Sequence, residues 1–127
     1  MILNLSFFFF NTIELKLAIA SRGDSERHEK GWADDCLANM RIGPHLDITL
    51  KSIFCEIEIY AKNKINHFEA IHNSTKIPYE EMIFFDDAPF NLRSVKKLGV
   101  FCIHTPFGFS RKVLDSSLRE FSDSISK

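Results

Sequence analysis

Several features that would assign a sequence to a function class at once are scarce or missing in these 127 residues. Sixteen lysines and arginines are balanced by seventeen aspartates and glutamates, so the formal net charge is −1 and nothing suggests a basic, nucleic-acid-binding surface. The stretch 1–10 is apolar except for Asn4 and Ser6, but it is too short to span a bilayer. It also lacks the basic start and the small-residue cleavage site of a signal peptide. We therefore expect neither nucleic acid nor a membrane as a partner.

Cysteine is also scarce, and its pattern excludes a disulfide framework. Cys36, Cys55 and Cys102 are odd in number and widely spaced, with no metal-binding spacing among them. Reduced thiols of this kind are typical of intracellular proteins, so we expect a cytoplasmic protein. A hydrophobic content of 45% and a charged content of 26% are typical of a globular chain. We predict a monomer with one domain over residues 13–127, preceded by an apolar segment, residues 1–12, to which we assign no role.

An acidic pair at the end of an apolar run is the most informative local feature. Four apolar residues, Met82–Phe85, predict a buried strand of a parallel sheet, and Asp86 and Asp87 follow directly. The carboxyl ends of such strands are where open α/β sheets bind their ligands. Adjacent carboxylates repel each other, so such a pair is stable when a cation or strong hydrogen bonds compensate, and oxygen-only ligands favour Mg²⁺. The alternative is an ordinary solvated Asp-Asp turn.

The residues after the pair complete a strand–helix–strand unit. Leu92, Val95 and Leu98 recur at helical spacing, with Pro89 suited to the first turn and Gly99 to the end of the helix. Residues 100–103 then form a second apolar run that predicts a buried strand. Such a unit crosses over with a right hand.

The remaining chain predicts further strands and helices of an α/β fold. Alternating apolar residues predict a strand over Leu15–Ala20 that ends at Ser21, whose hydroxyl and following amides suit a phosphate oxygen. Another strand is predicted over residues 52–60. Helices are predicted over residues 24–40, 65–71 and 111–125, the last with Ile125 on its buried face. The fold class is therefore a Rossmann-like parallel sheet with helices on both faces.

Three separately spaced motifs resemble a known family. The sequence of residues 76–87, then Asn91, then residues 97–104 resembles the eukaryotic magnesium-dependent phosphatases, which are small, capless members of the haloacid dehalogenase superfamily. The resemblance extends from about Leu15 to Phe121. It implies a haloacid dehalogenase-like sheet without an inserted cap domain, a Mg²⁺ cofactor and a phosphorylated substrate, either phosphotyrosine or a sugar phosphate.

The resemblance also implies roles for particular residues. Ser21 and Arg22 match the family's second motif and would bind the substrate phosphate. Lys64 rather than Lys62 matches the lysine of the third motif, and it would bind phosphate and stabilise charge in the transition state. The family commonly has Pro-Gly where this chain has Ala61-Lys62, so the shape of this loop is less certain. Asp86 and Asp87 would hold the Mg²⁺.

The motif that starts the family's chemistry is absent from these 127 residues. In the family, the first aspartate of Asp-x-Asp-x-Thr on the first, central strand attacks phosphorus, which divides a hard hydrolysis into two easier steps. No Asp-x-Asp occurs in this sequence, and only twenty residues precede Ser21. The connection after residues 1–10 is too short for a parallel crossover. We therefore expect the sheet to lack its first central strand, or residues 1–10 to form a helix that leads into the next strand.

Two hypotheses follow. The first is a magnesium-dependent phosphatase that is inactive as it stands and works by the aspartyl-phosphate route only when a longer form supplies the nucleophile. The second is a non-catalytic remnant that binds phosphate or a protein. A receiver domain is excluded because receivers carry their acidic pair on the first strand and their lysine last, the reverse of this order. His67 and His72 lie five residues apart, which is not the spacing of a metal pair, and we expect His104 to be structural.

Overall fold

Five strands form one sheet, and their order along it is β3-β2-β1-β4-β5. The strands are β1 (Leu5–Phe9), β2 (Leu15–Ser21), β3 (Phe54–Ile59), β4 (Met82–Asp86) and β5 (Phe101–His104). The structure is a computed structural model that describes residues 5–9, 15–21, 38–39, 49 and 51–126. The four strands predicted from sequence correspond to β2, β3, β4 and β5.

The four predicted strands all run in the same direction. β2 pairs with β3 in parallel, with Ser21 opposite Ile59, and β4 pairs with β5 in parallel, with Asp86 opposite His104. Because β1 lies antiparallel to both β2 and β4, those two strands are parallel to each other. The predicted parallel arrangement is therefore confirmed, and the carboxyl ends of all four strands lie at one edge of the sheet.

The centre of the sheet requires a correction. We expected the central strand to be missing or residues 1–10 to be helical, whereas β1 occupies the central position between β2 and β4. Its register places Phe7 opposite both Leu17 and Ile83. The short connection of residues 10–14 excludes a parallel crossover, but it is long enough for an antiparallel hairpin, which needs only a few residues. The segment 1–12 therefore contributes a strand, in the direction opposite to its neighbours.

In the continuously described range 51–126, three α-helices follow the strands, and the expected residues begin and end them. They are α1 (Lys64–Thr75), α2 (Pro89–Lys96) and α3 (Arg111–Ile125), and single turns of 3₁₀-helix precede β3 and β4. The Asn63 side chain accepts a hydrogen bond from the Ile65 amide at 3.0 Å, and Ser110 caps α3 in the same way. Gly99, which follows α2, has φ +99°, a conformation that favours glycine. Of the helix predicted over 24–40, residues 38–39 are helical and the rest lies outside the described residues.

Two layers of apolar side chains cover the sheet, one on each face. On one face Met82 and Phe84 pack with Phe68 of α1 and Val95 of α2. The other face carries Ile83 and Phe85, with the α3 residues Val113, Leu114, Leu118 and Phe121 packed against them. This alternation along β4 is the period of two that a strand imposes. Helices on both faces are thereby confirmed, and the predicted place of Ile125 in the core is wrong because that side chain is 60% exposed at the end of α3.

Two predictions concern features that the structure describes only in part. The predicted lack of a cap domain depends partly on residues 22–37 and 40–48, which lie outside the described residues. Within the described part of the chain, no helix is long and apolar enough to cross a membrane.

Candidate functional site

The ends of β2 and β4 place two buried polar side chains at the same edge of the sheet. Ser21 is the last residue of β2 and Asp86 the last of β4, and their exposed fractions are 4% and 1%. Both strands are otherwise apolar at their centres, so each polar residue lies at the point where the hydrophobic core stops. Arg22, the other residue predicted to bind phosphate, lies outside the described residues.

Lys64 is the first residue of α1, and its side chain is directed into the protein. It is 1% exposed, and its amine donates a hydrogen bond to the carbonyl oxygen of Ala20, the residue before Ser21. Lys62, by contrast, is exposed and lies over the Tyr60 ring, with its amine 5.8 Å from the ring centroid. A lysine is almost never fully buried unless its charge has partners, so the burial of Lys64 singles it out from its neighbour.

The Asp86 carboxyl is held by two N–H donors. Its Oδ1 accepts a hydrogen bond from the Ala88 amide at 2.9 Å, and its Oδ2 accepts one from Asn91 Nδ2 at 2.8 Å. Burial raises the pKa of Asp86 above its ordinary value, and the neighbouring Asp87 side chain adds to the rise. The two N–H donors and the charge of Lys64 act in the opposite direction. Asp86 is therefore not part of a solvated turn, and it lies within electrostatic reach of Lys64.

The start of the loop after β5 holds the backbone of the acidic pair in place. The Thr105 amide donates a hydrogen bond to the carbonyl oxygen of Asp86 at 2.9 Å, and His104 Nε2 lies 3.0 Å from the carbonyl oxygen of Asp87. His104 thus has the structural part expected of it. The Asp87 side chain is half-buried, which leaves it closer to solvent than Asp86.

His67, to which the sequence assigned no site, is completely buried beside this group. Its Nε2 lies 2.8 Å from the carbonyl oxygen of Ser21 and 3.0 Å from that of Tyr60, and its ring stacks on the Tyr60 ring. Asn91 was likewise missed as a partner of Asp86, although it belongs to the motif that carried the resemblance. The available signal for His67 was its spacing. It lies one turn after Lys64 and four residues before Ile71, so the three residues share one face of the helix.

The structure thus links three of the predicted residues through their immediate surroundings. Lys64 bonds to the backbone beside Ser21, and its charge acts on Asp86. Within the described residues, no group of three or more His, Cys, Asp and Glu side chains is placed to hold a metal ion. The acidic pair, whose possible ligand atoms are oxygens, is the part suited to a hard divalent cation.

Comparison with known proteins shows which family the chain belongs to. A family model described as Acid Phosphatase matches residues 4–124, nearly the whole chain. The chain belongs to this acid phosphatase family. Its resemblance to magnesium-dependent phosphatases is confirmed, because it is 45% identical over 69 residues to the human protein "Magnesium-dependent phosphatase 1", a match covering 54% of this chain and 39% of that protein.

A second relative of this acid phosphatase family member comes from a yeast. The chain is 34% identical over 90 residues to "HAD-like hydrolase superfamily protein P8B7.31" of Schizosaccharomyces pombe, a match covering 68% of this chain and 48% of that protein. The haloacid dehalogenase-like fold class is therefore confirmed. The matched region of this chain spans less than half the length of either relative.

Proposed function

We propose that this chain forms the phosphate-binding and metal-binding part of a magnesium-dependent phosphatase that hydrolyses phosphomonoesters. The observation that carries the proposal is the burial of a cation, Lys64, whose amine bonds to the end of β2 and whose charge acts on the carboxyl of Asp86. A buried cation at the edge of a parallel sheet where ligands bind is suited to an anionic ligand that loses its hydration water on binding. The similarity to the human magnesium-dependent phosphatase supports this assignment.

The phosphate would be bound by groups at the ends of β2 and β3. The Ser21 hydroxyl is a donor for a phosphate oxygen, and Lys64 supplies positive charge close to it. Lys64 also begins α1, so the partial positive charge of a helix N-terminus adds to its own. Arg22 would contribute a second cation. These groups stabilise a transferring phosphoryl group, whose charge is spread over its three peripheral oxygens.

Asp86 and Asp87 would hold the Mg²⁺. Their oxygen atoms match its preference for hard ligands, and Mg²⁺ is usually bound by one or two carboxylates together with water and substrate phosphate. The two donors on Asp86 use one lone pair of each oxygen, so lone pairs remain for an ion. When bound, the ion supplies positive charge to the phosphate oxygens. The protein's part is to fix the Asp86 carboxyl, which Asn91 and the Ala88 amide do.

The nucleophile is what the described residues do not provide at this edge. In the proposed route a carboxylate oxygen attacks phosphorus, the bond from phosphorus to the ester oxygen breaks, and the departing oxygen takes a proton. Water then hydrolyses the acyl phosphate and releases inorganic phosphate. Because β1 is antiparallel, its carboxyl end at Phe9 lies at the opposite edge from Ser21 and Asp86. We infer that the 127-residue chain is inactive and that a longer form would have to supply the attacking aspartate.

The test compares the 127-residue chain with a longer chain that includes an upstream Asp-x-Asp-x-Thr strand, using p-nitrophenyl phosphate with and without Mg²⁺. The short chain should show no turnover, because phosphomonoester hydrolysis is among the slowest uncatalysed reactions and binding alone does not lower its barrier. Turnover by the short chain that needs Mg²⁺ and disappears in Asp86→Asn would contradict the inferred inactivity and would place the attacking carboxylate within these 127 residues. Absence of turnover in both chains would contradict the phosphatase proposal.

The alternative is a non-catalytic phosphate-binding or protein-binding remnant, which the missing Asp-x-Asp favours. It predicts that no upstream coding sequence, in frame, encodes an apolar strand ending in that motif. For an active longer form, phosphotyrosine and sugar phosphates are the two proposed substrate classes, and initial rates on one member of each class separate them. We further propose a cytoplasmic monomer, which sedimentation of the purified chain and localisation of a tagged copy would test.

A further inference from the structure

His67 is the one buried histidine in the described part of the chain, and its ring touches three segments at once. Its Nε2 faces the carbonyl oxygens of Ser21 and Tyr60, the residues at and just beyond the ends of β2 and β3. Its Nδ1 lies 3.2 Å from the carbonyl oxygen of Asn63, which caps α1. Every polar atom around the ring in these contacts is therefore an acceptor.

This arrangement decides how the imidazole is protonated. A neutral ring carries one N–H, and on Nε2 that hydrogen serves two carbonyl oxygens, at 2.8 and 3.0 Å, whereas on Nδ1 it would serve one at 3.2 Å. The carbonyls of Asn63, Ser21 and Tyr60 each also receive one backbone amide at 3.0 Å, so the number and the length of the contacts to the ring decide between the two positions. Burial lowers the pKa of His67, and the adjacent charge of Lys64 lowers it further, so the ring stays neutral.

We propose that His67 is a positioning residue, whose Nε2–H joins the carbonyls of Ser21 and Tyr60 and so holds Ser21 and Lys64 in place to bind phosphate. The inference rests on the proposed phosphate-binding function and deepens it. Lys64 precedes His67 by three residues on α1, and its amine bonds to Ala20 while His67 bonds to the next carbonyl along β2. The side chains of Lys64 and His67, on one turn of α1, thus hydrogen-bond to two consecutive carbonyl oxygens at the end of β2.

A matched control is present on the same helix. His72 lies toward the other end of α1, with Nδ1 2.7 Å from the carbonyl oxygen of Ile77 and its ring stacked on Tyr79. It therefore has the same kinds of contact as His67, a backbone carbonyl and a tyrosine ring, but it makes them with residues remote from Ser21. A variant of His72 controls for a general loss of helix packing.

The first experiment asks for the spectroscopic signature. Nitrogen-15 NMR of the full 127-residue chain at neutral pH should show His67 neutral with its hydrogen on Nε2. A ring with its hydrogen on Nδ1 would overturn the proposal, because Nε2 would then donate to neither the Ser21 nor the Tyr60 carbonyl. This measurement needs neither phosphate nor activity.

The second experiment uses rescue by shape. Glutamine places its amide nitrogen near the position of Nε2, and asparagine places its own near Nδ1, so His67→Gln keeps the proposed donor and His67→Asn does not. Hydrogen exchange of the Tyr60 amide, which donates to the Ser21 carbonyl at 3.0 Å, reports on the joint between β2 and β3. It should stay close to the parent rate in His67→Gln and His72→Gln, and accelerate about tenfold or more in His67→Asn.

The third experiment measures the affinity for inorganic phosphate by amide chemical shifts. His67→Asn should bind about tenfold more weakly than the parent chain, while His67→Gln and His72→Gln stay within about threefold. Equal losses in all three variants, or parent affinity in His67→Asn, would overturn the positioning role. If the parent chain binds no phosphate, the proposed function fails, whereas the tautomer and the Tyr60 exchange still decide whether His67 holds this joint.

Discussion

The amine of Lys64 donates a hydrogen bond to the carbonyl oxygen of Ala20, which lies 44 residues earlier in the chain. This contact fastens the start of α1 to the end of β2, and it keeps a positive charge away from bulk water. The same charge lowers the pKa of Asp86 against the larger effect of burial. A single side chain therefore couples the ends of two strands that lie on opposite sides of β1.

Replacing Lys64, which begins α1, should change the titration of Asp86 at the end of β4. In Lys64→Met the pKa of Asp86 should rise further, because burial and Asp87 would act without the opposing charge. The Asp86 carboxyl resonance in a carbon-13 NMR titration measures this. Lys62→Met removes an equal charge from an exposed position in the same loop and should leave Asp86 close to the parent value. Identical titrations in the two variants would contradict the assignment of Lys64.

Asn91 should contribute more to stability than a surface asparagine. Asn91→Ala removes the donor to Asp86 Oδ2 and leaves a buried carboxylate with one hydrogen bond fewer, a loss of about 1.5–3 kcal/mol for a bond to a charged group. Asn73→Ala changes an exposed asparagine of α1 and should shift the free energy of unfolding by no more than about 0.5 kcal/mol. Urea unfolding at neutral pH measures both. A cost for Asn91→Ala as small as that of the control would show that the bond is energetically unimportant.

Stability should fall in mildly acidic solution because of His67. Its folded pKa lies below the ordinary 6.5, so as the pH drops below about 6.5 the unfolded chain binds a proton that the folded chain does not. The associated loss approaches about 1.4 kcal/mol per pH unit until the folded pKa is reached, and the full stabilisation is present above 6.5. Asp86, whose pKa is raised above 3.8, acts in the opposite sense as the pH falls toward 3.8.

The pH-dependent contributions of His67 and Asp86 to stability are separated by comparing the parent chain with a variant that lacks His67. Unfolding free energies of the parent chain and of His67→Gln, measured from pH 8 to pH 5, both contain the Asp86 contribution. The unfolding free energy of the parent chain minus that of His67→Gln should be constant above about pH 6.5 and decrease below it. A difference that does not change with pH would mean that His67 titrates alike in the folded and unfolded chains.

Replacing two phenylalanines in or near α3 should affect stability to very different extents. Phe121 is 3% exposed and packs on Phe101 with ring centroids 5.5 Å apart, so Phe121→Ala should cost about 3–5 kcal/mol. Phe107 is fully exposed in the loop before α3, and Phe107→Ala should change stability by no more than about 0.5 kcal/mol. Thermal or urea unfolding of the pair tests whether α3 covers the sheet as described.

The sequence predicted the elements whose signals are local. The apolar run ending at Asp86 predicted β4. Pro89 marked the start of α2 because its ring fixes φ, and Gly99 marked the end because glycine readily adopts a positive φ. The direction of β1 was not predictable from its apolar residues, since the pattern reads the same for a strand running either way. The short connection of residues 10–14 held the missing signal, because it permits a hairpin.

The sequence predicted only those residues of the candidate site whose side chains belong to a recognisable motif. Ser21, Lys64 and Asp86 lie at or just after the ends of strands and match spaced motifs, and the structure shows them buried at one edge of the sheet. The contacts of His67 are made to carbonyl oxygens, which every residue possesses, so no residue type in the sequence marks its partners. Its position could be found only after β2 and α1 had been brought together.

β1 occupies the central position of the sheet in the antiparallel direction, and a strand of the opposite direction would compete with it for that position. β2 and β4 run the same way, so their facing edges could pair with one parallel strand in place of the antiparallel β1. Only one strand fits between them, and a longer chain that placed its own strand there would first have to expel Leu5–Phe9. The short and the long forms would then differ by an exchange of strands at the core, and the hairpin of β1 with β2 would exist in only one of them.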